Sequence, residues 1–500
     1  MNMKYSKLQN GSDIRGVAME NSAGEAVNLT EDAVKSIARA FAVWLKESKG
    51  NDVRIAIGRD SRLTGPQIVE WAVEGMNMEG VPCTNFDMAS TPAMFMSTVL
   101  TDKPFDGAVM ITASHLPQQR NGMKFFTRDG GLEKTDIAKL VEIAETVMER
   151  PALQIKSNDK EDFISLYADH LCDVIKKGVN AEDYEHPLKG FHIIVDAGNG
   201  AGGFFESKVL KKLGADTTGS QFLEPDGSFP NHIPNPENAE AAKAIVDATL
   251  SNKADLGIIF DTDVDRAGAV LSDGTELTRN ALIAMMSAIL LKEHPGCEVV
   301  TDSITSTGLA DFIADHKGIH KRFKRGYKNV INEAIKLNKE GIDCELAMET
   351  SGHGALKENY FLDDGAYLMV KLLIEIGKGE DLKKMIADLK EPEEAVEIRF
   401  AVEGDVPAVQ DKALKALDEG ISGIEGWTVA KDNFEGIRVN ADKEHGNGWL
   451  LLRKSLHDPI MPLNIESDSE GGCKVIAKDL YGLLKDVEGL KTEPLADFIR

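Results

Sequence analysis

Ser114 stands where a covalent step could begin. The apolar run Gly107–Ile111, GAVMI, reads as a buried strand and leads directly into Thr112-Ala113-Ser114-His115. A serine just beyond the carboxyl end of a strand lies where open α/β sheets present their ligand-handling loops. Its hydroxyl can act as a nucleophile or carry a phosphoryl group. The hydrolase elbow G-x-S-x-G is absent. An ST-turn serine beside a core histidine is the alternative. Lys124 follows inside the apolar stretch Asn121-Gly122-Met123-Lys124-Phe125-Phe126. Lysines are seldom buried unpaired, so it either reaches the same site, to shuttle a proton or hold an anion, or lies on a solvent-facing side of a strand.

A second apolar strand, Leu256–Phe260, runs into Asp261-Thr262-Asp263-Val264-Asp265-Arg266. Carboxylates at alternate positions suit a hard divalent cation, which takes oxygen ligands. Three like charges this close repel one another without a cation, so a magnesium site is expected rather than a solvated acidic turn. An EF-hand is excluded, because Arg266 stands where its glycine is needed and Ser272 where its glutamate is needed. Gly198 to Gly203 also match G-x-G-x-x-G after a strand, with Glu224 placed for a ribose contact. That motif suits a dinucleotide or a helix starting close to a sheet. Glu349-Thr350-Ser351-Gly352-His353 follows the strand Cys344–Met348 and groups a carboxylate, a hydroxyl and an imidazole fit for a hydroxyl-rich ligand. Arg453-Lys454-Ser455 follows residues 450–452 and could clasp a phosphate.

These residues need scaffolds, and the chain is long enough to supply several. Its 500 residues exceed what one core organises. A hydrophobic fraction of 42% with 28% charged residues is that of a globular protein. Lys and Arg number 57 against 82 Asp and Glu, a net charge of −25, which repels nucleic acid and anionic membranes. A small anionic substrate therefore needs a local positive field, and residues 317–328 gather Lys317, Lys321, Arg322, Lys324, Arg325 and Lys328. No apolar run is long enough to span a membrane, and the polar start shows no secretory signal. The five scattered cysteines fit reduced thiols in a cytoplasm.

One unit recurs three times: strand, small-residue loop, helix, glycine stop, strand. It begins at residues 53–57 with a helix over 66–78, at 191–195 with a helix over 205–213, and at 297–301 with a helix ending near Asp315. The pattern predicts α/β domains. After residues 391–394 the style changes, and 396–402, 437–440 and 449–452 predict the strands of a smaller α+β domain.

TASH at 112–115, DxDxDR at 261–266, ETSGH at 349–353 and the Arg453/Ser455 loop occur in this order in the α-D-phosphohexomutases. The chain resembles their phosphomannomutase/phosphoglucomutase branch over nearly its whole length, from Ser12-Asp13-Ile14-Arg15-Gly16 onward. The resemblance implies four domains around a central cleft, the first three of similar mixed-sheet α/β topology and the fourth α+β. They are expected at residues 1–155, 156–274, 275–393 and 394–500. It implies that Ser114 is the phosphoserine and, with Asp261, Asp263 and Asp265, a magnesium ligand. Arg15 and Lys124 match basic residues beside the reacting phosphate, Lys124 being the family's usual candidate for general base. Arg266 and His353 line the same site. Glu349 and Ser351 match the loop that holds sugar hydroxyls, Lys328 a substrate-contacting lysine, and Arg453 and Ser455 the clasp on the non-reacting phosphate. Two positions depart from the family pattern. Leu116 replaces a common asparagine, and Leu456-His457 replace a Gly-Thr or Asn-Thr pair.

The implied reaction interconverts hexose 1-phosphate and hexose 6-phosphate of glucose, mannose or both. It passes through a phosphoserine and a bisphosphorylated intermediate, with a hexose 1,6-bisphosphate as activator. A phosphoglucosamine mutase is the alternative, although Thr350 lacks that branch's glutamine. An aspartyl-phosphate phosphatase working through Asp261 and a non-catalytic sugar-phosphate binder are further ones. The expected partner is a small phosphosugar, with no nucleic acid and no membrane, for a cytoplasmic monomer or homodimer.

Overall fold

A computed structural model describes residues 4–20, 24–153, 155–455 and 458–500, so Leu456 and His457 lie outside the described residues. The chain divides into two compact units. One comprises Met1–Thr278, Ser351–Ala355 and Asn359–Lys383; the other comprises Arg279–Thr350, Leu356–Glu358 and Lys384–Arg500. Among the described residues no helix is long and apolar enough to cross a membrane.

The first unit contains two mixed sheets. In the larger, the central strand Ile55–Arg59 pairs in parallel with Cys83–Met88 on one side and Gly107–Ile111 on the other. Arg120–Thr127 then adds antiparallel to Gly107–Ile111, and Asp13–Val17 antiparallel to Arg120–Thr127. This order brings Arg15, the TASH loop and Lys124 onto neighbouring strands. The helix Glu31–Lys49 covers one face. Thr30 caps it by accepting from the Ala33 amide, and acids in its first turn and lysines in its last complement the helix dipole. Its apolar stripe joins Phe41 and Leu45 to Ile57, Val109, Ile111 and Phe125 in one core.

The smaller sheet is built around a hairpin. Leu256–Phe260 pairs antiparallel with Ala267–Leu271 and in parallel with Ile193–Asp196. Phe260 lies opposite Ala267, so residues 261–266 must turn sharply between them. Val264 takes a left-handed φ of 69°, costly for a β-branched residue. The helix Gly365–Gly377 packs behind this turn; a Cβ on Gly365 would stand 2.6 Å from the Arg266 carbonyl carbon.

In the second unit Glu298–Thr301 pairs in parallel with Ile319–Arg322 and Cys344–Met348. A separate antiparallel sheet runs in the order Glu394–Ala401, Ile460–Ser467, Gly448–Leu452, Ile437–Ala441, Trp427–Val429. The helices Val406–Ile421 and Gly472–Leu484 share its apolar core. This is the expected smaller α+β layer.

All three repeats of strand, loop and helix are present, with two local departures. The strand predicted at 53–57 runs instead over Ile55–Arg59, and it includes Gly58, where a Cβ would collide with Met94 at 2.6 Å and Ala89 at 2.8 Å. In the second repeat the helix is a short π-type segment, Phe205–Leu210. The chain beyond Gly214 makes only isolated parallel bridges, Asp216 to His192 and Gln221 to Asp196. Gly219, with φ of 95°, and the Asp226-Gly227 turn break it before a strand can form.

Gly75 lets the helix Gly65–Asn77 touch the first helix, since a Cβ there would sit 2.4 Å from the Lys35 carbonyl oxygen. Backbone cannot retreat as a side chain can. Gly75→Ala is therefore expected to destabilise the first unit by roughly 1–3 kcal/mol, read as a shift of its urea midpoint at unchanged slope.

Candidate active site

Ser114 is buried and held in a left-handed conformation, φ 51°, that a non-glycine residue adopts at a cost. Its amide donates to Thr112 Oγ1 at 2.9 Å, and Thr112 Oγ1 donates to Asp60 Oδ2 at 2.7 Å. Arg62 fixes the rest of the loop. Its guanidinium pairs with Asp60 at 3.2 Å and donates to the carbonyls of Pro117 and Arg120 at 2.9 Å and Leu116 at 2.6 Å. It also donates to the Ser114 carbonyl. One fully buried arginine thus ties the loop to the Ile55–Arg59 strand.

The Ser114 hydroxyl faces the aspartate turn, donating to Asp261 Oδ2 at 3.1 Å and accepting from Arg266 Nη2 at 3.2 Å. Arg266 also grips Asp261 Oδ2 through Nη2 at 3.0 Å. Lys124 Nζ lies 2.6 Å from Asp265 Oδ2 and 3.6 Å from Asp263 Oδ2. Asp263 accepts from Thr91 Oγ1 at 2.5 Å, and the Thr91 amide donates to its backbone oxygen at 2.8 Å. Asp261, Asp263 and Asp265 are all buried, and each offers an oxygen within 4.8 Å of the others. Asp263 Oδ1 and Asp265 Oδ1 have no hydrogen-bond partner. Buried acceptors left orphaned cost free energy unless something binds them, and an all-oxygen donor set of this kind suits a magnesium-like cation. Burial and the Asp265 carboxylate push the Asp261 pKa well above the ordinary range, against the pull of Arg266. A bound cation would relieve that repulsion.

His353 pairs through Nδ1 with Asp363 Oδ2 at 2.5 Å and forms an antiparallel bridge with Arg266. Burial opposes its charge, but the Asp363 and Asp265 carboxylates prevail and raise its pKa to about 9. His115 is the opposite case. Its Nδ1 lies 3.3 Å from Ser114 Oγ, and burial with the Arg266 and Arg15 charges lowers its pKa to about 3. Arg15 is anchored by Asp13 at 2.8 Å and reaches the Ala113 carbonyl at 3.5 Å. Ser114, Lys124, Arg15, Arg266, His353 and the three aspartates therefore converge in the first unit. Ser351 is buried on the same unit's segment, two residues before His353.

Glu349, Lys328, Arg453 and Ser455 belong to the second unit. Glu349 Oε1 accepts from the Gly326 amide at 2.5 Å, just ahead of the helix Tyr327–Lys339, whose first turn holds Lys328. Arg453 is buried at the end of the strand Gly448–Leu452, 3.7 Å from Glu435 Oε1. The Ser455 hydroxyl accepts from the Asp458 amide at 3.2 Å. The basic run divides by role. Lys321 is taken by Glu333 at 2.7 Å, and Arg322 donates to the Thr305 and Ser306 carbonyls. The Arg325 amide instead donates to Glu435 at 3.0 Å. The glycine loop at 198–203 packs on the aspartate turn: Ala201 donates to the Thr262 carbonyl at 2.8 Å, and a Cβ on Gly200 would lie 2.6 Å from that oxygen. Its glycines serve close backbone approach.

Family models for α/β/α domains I, II and III of phosphoglucomutase/phosphomannomutase match residues 6–150, 166–274 and 278–392. The chain belongs to this family, within the α-D-phosphohexomutase superfamily. It is 31% identical over 468 residues to the phosphoglucomutase of Neisseria gonorrhoeae, covering 93% of this chain and 94% of that protein. It is 28% identical over 479 residues to the phosphomannomutase/phosphoglucomutase of Pseudomonas aeruginosa, covering 95% of each. Among solved structures, a phosphoglucomutase/phosphomannomutase family protein of Burkholderia thailandensis superposes with a TM-score of 0.78 at 26% identity, over 96% of this chain and 97% of that one.

Several positioning residues of this family member escape sequence reasoning. Arg62 and Asp60 are visible only as a loop, GRDSR, after a strand. Thr91 lies far along the chain from Asp263, and Asp363 sits ten residues beyond His353, across a turn of chain. The Leu362-Asp363-Asp364-Gly365 run gives a partial signal, since one of two adjacent acids caps a helix and the other is left over: Asp364 accepts from the Tyr367 amide at 2.9 Å.

The pairing of His353 with Asp363 can be tested directly. In chelator, the imidazole should titrate near pH 9 by NMR, and Asp363→Asn should move that titration to lower pH. An unchanged midpoint would show that Asp363 does not hold the charge.

Proposed function

We propose that this protein is a phosphosugar mutase that interconverts hexose 1-phosphates and hexose 6-phosphates through a phosphoryl group carried on Ser114. The observation that carries this reading is the Ser114 hydroxyl held between Arg266 and Asp261, over a turn of three buried aspartates with orphaned oxygens. Phosphoserine 114 gives its phosphoryl group to a free sugar hydroxyl. The bisphosphorylated sugar then turns over and returns its other phosphoryl group to Ser114. Phosphoryl transfer asks a protein mainly for positioning and for charges that meet the moving oxygens.

Each residue has a part in that scheme. Arg62 presents Ser114 by fixing its loop. Arg266 and Arg15 meet the phosphoryl oxygens, and His353, kept cationic by Asp363, adds a third charge. Neutral His115 contacts the serine oxygen without competing for a proton. Lys124 is the proposed general base: as the neutral amine it takes the proton of the attacking hydroxyl, and as the ammonium, the form paired with Asp265 here, it returns a proton to the leaving one. Asp261, Asp263, Asp265 and Ser114 would hold magnesium, which supplies Lewis-acid stabilisation of the transferring group. Glu349 and Ser351 bind sugar hydroxyls, Lys328 contacts the substrate, and Arg453 and Ser455 bind the phosphate that is not reacting. We assign four domains at 1–155, 156–274, 275–393 and 394–500, a cytoplasmic location, and a hexose 1,6-bisphosphate as activator.

Peptide mass analysis should find phosphate on Ser114, and Ser114→Ala should remove both it and turnover. Chelator should abolish activity and magnesium restore it, while Asp263→Asn lowers kcat on the order of a hundredfold without unfolding. Turnover by Ser114→Ala, or full activity of Asp263→Asn in chelator, would sink the scheme.

Specificity follows from what the loop offers. Glu349 and Ser351 are assigned to the hydroxyls at carbons 3 and 4, where glucose and mannose agree; no residue is assigned to carbon 2, where they differ. Discrimination is large only when a buried polar group is left unpaired. Both 1-phosphates should therefore be turned over, and Glu349→Ala should reduce kcat/KM for both by similar factors. A mutant that loses only one of the two activities would show that carbon 2 is read.

A further inference from the structure

Arg453, one of the two residues assigned to the phosphate clasp, is already paired with an anion, and that anion is a side chain of the protein. Glu435 precedes the strand Ile437–Ala441, whose Ile437 pairs antiparallel with Leu452, so the register sets Gly436 opposite Arg453 and Glu435 one residue further along. Gly436 makes this approach possible. It adopts φ of 60°, and a Cβ there would collide with the Leu452 oxygen at 2.1 Å and Arg453 Cα at 2.7 Å. The Glu435 carboxylate then accepts from Ser303 Oγ at 2.6 Å and the Arg325 amide at 3.0 Å through one oxygen. Its other oxygen lies 3.7 Å from Arg453 Nη1. The next amide, that of Gly326, donates to a second carboxylate, Glu349, at 2.5 Å. Consecutive amides opening the helix Tyr327–Lys339, a serine hydroxyl and a buried arginine form an anion-binding set.

The fit of Glu435 to that set is incomplete. At 3.7 Å its oxygen balances the Arg453 charge without a hydrogen bond of normal length. Arg453 Nε is buried with no hydrogen-bond partner. Asp302 Oδ1 nearby is also orphaned, although Asp302 Oδ2 accepts from Thr350 at 2.8 Å and lies 4.0 Å from Arg325 Nε. A carboxylate has two oxygens, and one of them is spent on Ser303 and Arg325. A phosphate brings three acceptor oxygens and up to two charges, enough to reach both Nε and Nη of a guanidinium.

We propose that Glu435 is an internal placeholder for the substrate's non-reacting phosphate: it occupies the clasp in the unliganded protein and is displaced when the phosphate binds. The proposal rests on the reading of Arg453 as a phosphate ligand. Two anions cannot share one arginine at these distances without repulsion, so every binding event works against Glu435. The carboxylate thereby weakens the grip on a phosphate that must be released when the bisphosphorylated sugar turns over. It also keeps the buried Arg453 charge from standing uncompensated between substrates.

The test is calorimetric binding of α-D-glucose 1-phosphate, with magnesium, to full-length protein in a Ser114→Ala background that cannot turn over. Glu435→Gln should tighten binding on the order of tenfold, the size of one charge-assisted contact, and Glu435→Asp, whose shorter arm reaches less far, by less. Unphosphorylated glucose should bind both variants as it binds the parent. Arg453→Ala should weaken glucose 1-phosphate binding. Unchanged or weaker binding in Glu435→Gln and Glu435→Asp, with Arg453→Ala still weakened, would overturn the placeholder while leaving the clasp intact. Unchanged binding in Arg453→Ala would instead overturn the clasp, and the placeholder with it. Equal tightening towards glucose and its phosphate would show a general change of the site and also overturn the proposal. Thermal melts of each variant confirm that the folded protein is being titrated.

Discussion

Three buried carboxylates in one tight turn are the constraint around which the first unit is arranged. Asp261, Asp263 and Asp265 cannot all stay charged away from water unless cations surround them. The fold supplies those cations from every side: Lys124 from a strand of the larger sheet, Arg266 from the turn itself, and His353 from the segment bridged to Arg266. The same charges that neutralise the turn are those a moving phosphoryl group needs. In the proposed mechanism structural electrostatics and catalysis draw on one set of residues, as expected where charge is fixed in advance of the reaction.

Rigidity of the Ser114 loop is obtained by a different route. Its loop is tied by hydrogen bonds to backbone carbonyls, almost all from Arg62, and by the Asp60–Thr112 relay. A guanidinium with five donors can bind several carbonyls at once where a lysine could not. The left-handed conformation of Ser114 is thereby held against its cost, as is that of Val264 across the site. Both strained residues lie in the two loops that meet at the serine hydroxyl.

The second unit handles anions with looser means. Amides at a helix start and buried arginines are met there by the carboxylates of Glu349 and Glu435. The contrast fits the two tasks of the proposed function: a reacting centre must hold one geometry, while a binding clasp must let go of its ligand.

The sequence by itself determined much of this. Periodicity placed the strands that carry Ser114, Lys124 and the aspartate turn, because strands buried on both faces read as continuous apolar runs. Alternate aspartates ahead of an arginine pointed to a cation because repulsion among them needs relief. The glycine-rich run at 198–203 was legible as close packing or as a dinucleotide loop, and only the Thr262 backbone lying against Gly200 decided for packing. Arg62, Thr91, Asp363 and Glu435 stayed silent as residues that hold or oppose the site. Each acts on a partner outside its own segment: Arg62 on the Pro117 carbonyl, Thr91 on Asp263, Asp363 on His353 beside Arg266, Glu435 on Ser303. Local propensity and spacing report what a residue does to its own segment; pairing across strands and loops depends on register and on where the turns bring the backbone. That is why the candidate reacting groups were readable from the sequence, and the residues that position them were decided only by the tertiary structure.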